Sequence, residues 1–400
     1  MTLILFWSAA AMVAYAYVLF PALVVLRGVL FRRGFVTRDT EPTVSIVVVA
    51  HNEARGIRHK LDNLLSLDYP RDRLEILVAS DGSVDGTDEI VSSYADRGIR
   101  LLSFPRRGKI PALNDAVDLA TGEILVFSDA NSLYAEDAVR ALVRPFADPS
   151  IGGVAGDQRY LPSTGENDTG ERAYWNFDRM LKQSLSRAGS VTSATGAIYA
   201  IRRSLFVPAP SSVTDDFAVS TAVVLQGYRL VFSPQSVAYE PAATSTKFEF
   251  QRKVRIITRG LRGVVVRRPL LNPLRYGFYA LQLFSHKVAR RLVVLPLLVI
   301  LVTTVLLWPQ GGFYQWSAAA LGAFLLCAAL GALFARTRMG RCKLFALPCY
   351  FCMVNAASLQ ALFNLVGGRR IELWDTQRGV STTEQPIRAA ACAHEREVAS

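Results

Sequence analysis

The chain has 400 residues, 51% of them hydrophobic, and a formal net charge of +12. That is too apolar for one soluble domain, and the excess sits in long runs, so a soluble domain joined to membrane spans is expected. Arginines cluster beside those runs, as positive-inside topology and anionic lipid contact require, and no helix-turn-helix, zinc-finger or RNA-binding signature occurs, which excludes nucleic acid as a partner.

Residues 3–25 carry no charge and are long enough to span a bilayer. No small-residue cleavage site follows them, so a span is expected rather than a signal peptide. Arg27, Arg32 and Arg33 place its end in the cytoplasm. From Val44 to about Tyr239 the chain has soluble character. Strands are expected at 45–50, 74–80, 99–104 and 123–129, with helices over 54–66, 85–96 and 110–120. Near-continuous Val, Ile and Leu in those strands implies burial on both faces, hence a mostly parallel, doubly wound α/β sheet. Ligands in such sheets lie beyond the carboxyl ends of the strands.

Residues 247–290 are basic and amphipathic: Lys247, Arg252, Lys253, Arg255, Arg259, Arg262, Arg267 and Arg268 alternate with apolar residues, a pattern suited to the membrane interface. Apolar runs follow at about 292–308, 313–335 and 344–366, the last two separated by Arg336, Arg338, Arg341 and Lys343. One span before the soluble domain and three after it would send the C-terminus outside, whereas Arg369, Arg370 and Arg378 have cytoplasmic character. The last run holds Pro348, Asn355, Ser358 and Gln360, so a re-entrant or tilted segment is an alternative to a span. Cys349 and Cys352 lie inside that run without a second pair, and are expected to be small packed thiols rather than a zinc or redox site. The expected division is an N-terminal anchor (1–40), a catalytic-type domain (41–246), interfacial helices (247–290), C-terminal spans (291–367) and a tail (368–400) whose polar, Ala-rich end from 381 is expected to be disordered.

The chemistry falls at the strand ends. The first strand ends in AHNEA (50–54), and the second in SDGSVDGT (80–87). Asn52 or Asp85 could cap the helix that follows, while Asp81 could accept hydrogen bonds from a base or sugar edge. RRGKIPALN (106–114) puts Lys109 at a helix start, where a diphosphate is favoured. VFSDANSLY (126–134) runs an apolar strand into Asp129 and Asn131. These two either form an Asx turn or offer oxygen ligands to a divalent cation.

Taken together, NE after the first strand, DGSxDGT after the second, GKxxALN opening a helix and a DxD-like pair after the fourth resemble glycosyltransferase family 2, with its nucleotide-diphospho-sugar-binding GT-A fold. TGAIYAIRR (195–203) resembles the segment beneath the acceptor sugar, and TDD (214–216) stands where the family has TED. The flanking spans resemble membrane-bound synthases of the cellulose, chitin, hyaluronan and poly-N-acetylglucosamine type. The resemblance implies that Glu53 and Asp81 contact the uridine of a UDP-sugar and Lys109 the diphosphate. Asp129 and Asn131 would hold Mg²⁺ or Mn²⁺, Thr195, Gly196 and Asp215 would lie on the acceptor side, and Asp216 would be the general base. Asp215 is expected to support or cap the helix expected over 216–226. The synthases carry a Gln-x-x-Arg-Trp motif that this chain lacks: in QRKVRII (251–257), Arg252 and Arg255 have the spacing, with Arg in the Gln place and Ile256 in the Trp place. Arg255 can still meet the diphosphate, but a stacking surface for the acceptor is lost.

The resulting expectation is an inverting, metal-dependent transferase of the inner membrane, with its catalytic domain in the cytoplasm. It would use a nucleotide-sugar donor and a polysaccharide or lipid-linked acceptor to make exopolysaccharide, capsule or glycolipid. Membrane lipids and proteins of polysaccharide synthesis or export are the implied partners. The alternatives are a non-catalytic subunit or scaffold on the same fold, and a transporter, for which the spans carry few mid-membrane charges.

Overall fold

The structure is a computed structural model. It describes residues 1–160, 168–240, 246–335, 337–340 and 342–369. The polar end from 381, together with Arg336, Arg341, Arg370 and Arg378, lies outside the described residues. Two compact units result. One is built from Gly28–Pro162 and Lys182–Ala242, the other from Met1–Arg27, Ser163–Leu181 and Ala243–Arg370.

Among the described residues, the first unit holds an eight-stranded sheet: β1 (Val44–Ala50), β2 (Leu74–Asp81), β3 (Ile99–Phe104), β4 (Ile124–Asp129), β5 (Leu133–Tyr134), β6 (Ile151–Tyr160), β7 (Tyr199–Arg202) and β8 (Arg229–Glu240). The order across it is β3-β2-β1-β4-β7-β6-β8-β5. The first four strands are parallel, with Val47 beside Leu77 on one side and Phe127 on the other. All seven residues of β1 are buried, as its near-continuous apolar run, interrupted only at Ser45, requires of a central parallel strand. Beyond β4 the sheet becomes mixed. β7 runs antiparallel to both β4 and β6, β6 pairs β8 in parallel, and β5 pairs β8 antiparallel. The expectation of a mostly parallel sheet is therefore refined to a mixed one. β7 spans four residues and carries no alternation of its own, so its direction is set by the strands it joins.

The crossover helices are Ile57–Leu65, Thr87–Ser92 and Lys109–Asp118. Ile57, Leu61 and Leu64 on the first share one continuous core with Ile46, Val48 and Ile76 of the sheet. A buried guanidinium holds the entry of the chain into this unit. Arg229 donates to the carbonyls of Arg33, Gly34, Ser186 and Gly189 at 2.9–3.3 Å. Burial, and then the nearby charge of Arg33, lower its pKa, because neutral carbonyls offset only part of the lost hydration.

The second unit is helical. Thr2–Leu30, Gly312–Leu333 and Lys343–Val366 are long and apolar enough to cross a membrane, and Phe278–Leu292 with Val294–Leu306 forms a pair bent by 45°. The basic segment folds as a helix over Thr246–Val266, followed by short turns to Tyr276. Its apolar face, Val254, Ile257 and Leu261, packs on Ala357 and Ala361. Lys253 and Arg259 are buried with that face rather than displayed. Glu249 compensates Lys253 at 3.2 Å and Arg252 at 2.9 Å. Cys349 and Cys352 are half-buried free thiols on the last helix.

Candidate functional site

β1, β2 and β4 each deliver a polar residue at the carboxyl end, and two loops are zipped together there. Asn52 follows β1 with a left-handed backbone, φ 53°, which Asn tolerates better than most residues. Its amide N–H donates to Ser83 Oγ at 3.1 Å, and its Oδ1 accepts from Val84 N–H at 2.9 Å. Glu53 is buried; its N–H donates to Thr87 Oγ1 at 2.9 Å. Asp85 accepts from Ala54 and Thr87. Burial pushes its carboxyl pKa up, but these donors outweigh that and hold it below the usual range.

Asp81 closes β2 and is fully buried. Its Oδ1 accepts the N–H groups of Arg107 at 2.7 Å and Gly108 at 3.0 Å, and its other oxygen is paired with the Arg106 side chain. Gly82 permits the approach: its φ is +63°, and a Cβ there would lie 2.7 Å from Arg106 N. Asp81 thus holds the turn that launches the Lys109–Asp118 helix. Any base edge reaching this carboxylate would share it with those donors.

Lys109 is the centre of charge. Its Nζ lies 2.6 Å from Asp129 Oδ1 and 2.8 Å from Asp215 Oδ2. Burial works to lower its pKa, but the two carboxylates outweigh burial and the net shift is upward, so it stays an ammonium. Asp215, expected as a support on the acceptor side, is therefore ion-paired into the centre. Asp216, the next residue on the Asp215–Leu225 helix, is half-buried and accepts from Phe217 N–H at 2.8 Å. Both acids stand in the first turn of that helix, where the helix dipole favours negative charge.

Asp129 ends β4, and Ser132 N–H donates to its carbonyl at 3.2 Å. The turn and cation readings of this loop are thus compatible: the backbone turns, and the turn presents Asp129 and the half-buried Asn131. Gly196 lies against the acid, for a Cβ there would meet Asp129 Oδ2 at 2.9 Å, tighter than real Cβ contacts allow. Thr195 Oγ1 and Tyr199 OH are buried without a hydrogen-bond partner among the described residues. Tyr199 stacks on Phe127 with ring centroids 4.7 Å apart. Burial, and then the charges of Asp215, Asp216 and Asp129, raise its pKa and keep it a neutral phenol.

The donor set fits a hard divalent cation. It offers a carboxylate and an amide oxygen, and no group of three or more His, Cys, Asp or Glu side chains suited to a metal occurs among the described residues. Mg²⁺ and Mn²⁺ are commonly held by one or two protein oxygens together with substrate phosphates rather than by a complete protein cage. Arg255 belongs to the helical unit, half-buried on the Thr246–Val266 helix, and Ile256 beside it is 41% exposed.

Sequence reading passed over Lys60. Its side chain is fully buried, with Nζ 2.7 Å from Ser128 Oγ, 2.6 Å from the Ser132 carbonyl and 4.2 Å from the centre of the Tyr134 ring. Burial pulls its pKa down to about 7, against the opposing pull of Asp129 and Glu240. A signal existed: Lys60 shares the stripe of Ile57, Leu61 and Leu64, where a charge is out of place.

Comparison with known proteins agrees with this geometry. Residues 45–207 match the model of the family described as Glycosyl transferase family 2. The poly-beta-1,6-N-acetyl-D-glucosamine synthase of Staphylococcus aureus is 28% identical over 206 residues, which are 49% of this chain and 49% of that one. A probable glycosyltransferase of Bacillus subtilis, YdaM, is 27% identical over 269 residues, 61% of this chain and 63% of that one. The chain thus spans about half the length of the first relative and under two thirds of the second. Among solved structures, the mannosyltransferase PcManGT from Pyrobaculum calidifontis, in complex with GDP-Man and Mn²⁺, superposes with a TM-score of 0.69 and 26% identity over 92% of this chain and 100% of that one. Residues 45–207 of this chain thus match a glycosyl transferase family 2 model, and the unit that holds them has a GT-A fold with a mixed sheet.

Proposed function

We propose that the protein is a membrane-bound, inverting glycosyltransferase that moves a sugar from a nucleotide-diphospho-sugar to a polysaccharide or lipid-linked acceptor, with its catalytic unit in the cytoplasm. The observation that carries this reading is Lys109 held between Asp129 and Asp215, with the half-buried Asp216 next in the chain. Asp129 and Asn131 would hold Mg²⁺ or Mn²⁺, which when bound neutralises the diphosphate leaving group as a Lewis acid. Lys109 contributes a fixed positive charge on the same side. Asp216 takes the proton of the acceptor hydroxyl as that oxygen attacks the anomeric carbon; the bond to the diphosphate breaks and the nucleoside diphosphate leaves. In-line attack inverts the centre. Asp215 holds Lys109, and Gly196 leaves room for the Asp129 carboxylate. Glu53 and the Asp81-held turn lie on the nucleotide side, and Thr195 on the acceptor side.

The relatives support this reading from two directions: one is named for a glucosamine polymer, and another was solved with GDP-Man. Both UDP- and GDP-sugars therefore belong in the test. Purified membranes carrying the chain are expected to release nucleoside diphosphate from one of these donors when acceptor is present. Folded protein that releases none from any donor would point instead to a non-catalytic subunit. Orientation has its own check. Ser92 is exposed in the first unit; Ser92→Cys, in a background without native cysteines, is expected to resist an impermeant thiol reagent on intact cells and to react after lysis. Labelling on intact cells would reverse the proposed topology.

A further inference from the structure

Lys60 is a fully buried amine that none of the steps above uses. Its two hydrogen bonds go to the two sides of one turn. Nζ reaches Ser128 Oγ, one residue before Asp129, and the Ser132 carbonyl, one residue after Asn131. The turn between them is closed by a single backbone bond, Ser132 N–H to the Asp129 carbonyl at 3.2 Å. On its far side the same turn is tied into the sheet: Ser132 Oγ donates to Glu240 Oε1 at 2.6 Å, and Gln158 Nε2 to Glu240 Oε2 at 2.6 Å. Glu240 and Ser132 are buried as well. A lysine is rarely placed fully inside a domain, and an apolar residue would fill the same stripe of the Ile57–Leu65 helix at lower desolvation cost. Packing alone therefore gives no account of it.

We infer that Lys60 is a positioning residue for the cation-binding turn: its buried amino group staples Ser128 to Ser132 from behind and thereby fixes how Asp129 and Asn131 present their oxygens. The inference rests on reading that turn as the cation site. It differs from the role of Lys109, which pairs directly with the Asp129 carboxylate. Lys60 Nζ contacts Ser128, Ser132 and the Tyr134 ring; in this role it acts through the side chain and backbone on either side of Asp129 and Asn131. Small displacements matter there, since a shift of about 1 Å in a reacting or ligating group can cost on the order of a hundredfold.

The test is Mn²⁺ affinity, measured on purified full-length protein by the free-ion electron paramagnetic resonance signal, with UDP or GDP present. Lys60→Met keeps the length of the side chain and removes the donors. It is expected to weaken Mn²⁺ binding about tenfold and to raise the Mn²⁺ concentration for half-maximal turnover by the same factor, with much of the turnover recovered at saturating Mn²⁺. A space-filling role would instead lower the melting temperature and leave the metal response of the folded protein unchanged. Ser128→Ala removes one acceptor without opening the helix stripe, and is expected to show a smaller shift in the same direction; it carries the test if Lys60→Met does not fold. Unchanged Mn²⁺ affinity in the folded variants overturns the inference. The two levels separate cleanly. Wild type that binds Mn²⁺ with nucleotide but turns over no donor sinks the transferase reading and leaves Lys60 to be judged by the resonance signal. Wild type that binds no Mn²⁺ sinks the cation reading and the Lys60 role together.

Discussion

Asp216→Asn is expected to keep the fold and the donor affinity and to lose turnover by about 10²–10⁴-fold, the usual worth of general-base catalysis. That loss corresponds to roughly 3–5 kcal/mol of transition-state stabilisation, at about 1.4 kcal/mol per decade. The amide is nearly isosteric, and its oxygen can still accept from Phe217 N–H, so the first turn of the Asp215–Leu225 helix should survive. It cannot take up a proton at neutral pH. From sequence alone Asp215→Asn is the mild control. The structure changes that expectation, because Asp215 sits 2.8 Å from Lys109 Nζ. Its neutralisation leaves Lys109 with Asp129 as its ion-pair partner at this centre, and is expected to raise the donor KM as well as lower turnover. The two variants are told apart by that split. If Asp215→Asn is dead with donor affinity intact, and Asp216→Asn turns over normally, the base is Asp215.

Asp129→Ala is expected to lower turnover by on the order of 10²–10³-fold or more, as when other groups that stabilise developing charge are removed. Excess EDTA on the wild type should do the same, and added Mn²⁺ should restore it. The variant also strips Lys109 of one of its two carboxylates, so donor binding and metal binding should fall together. Gly196→Ala offers a gentler perturbation of the same acid. The new methyl would sit 2.9 Å from Asp129 Oδ2 and must push it away. Turnover is expected to drop about tenfold with little change in melting temperature. Full activity in excess EDTA would leave the Asp129–Ser132 loop a plain turn, with Lys109 rather than a metal ion facing the Asp129 carboxylate.

Much of this protein is written in local pattern. Near-continuous apolar residues in β1 and β4 announced strands buried on both faces, and the polar residues that follow them marked the strand ends. The long uncharged runs announced helices able to cross a membrane, since length and composition are themselves the physical requirement. None of those patterns carries information about partners far away in the chain. β7, four residues long, inserts antiparallel between β4 and β6, and only that insertion brings Gly196 against Asp129. Residues 175–181, soluble in character, group with the helical unit. Lys60 stands out in sequence only as a charge on an apolar helix stripe; the packing of its helix on the sheet is what aims its amine at the turn, 68 residues along the chain at Ser128. Asp215 and Asp216 are adjacent and chemically identical in sequence; the direction of one helix sends the first to Lys109 and leaves the second half-exposed. Spacing along the chain decides which residues share a strand end or a helix face, but which acid meets which cation depends on sheet order and helix placement, and those are settled by burial of the whole core.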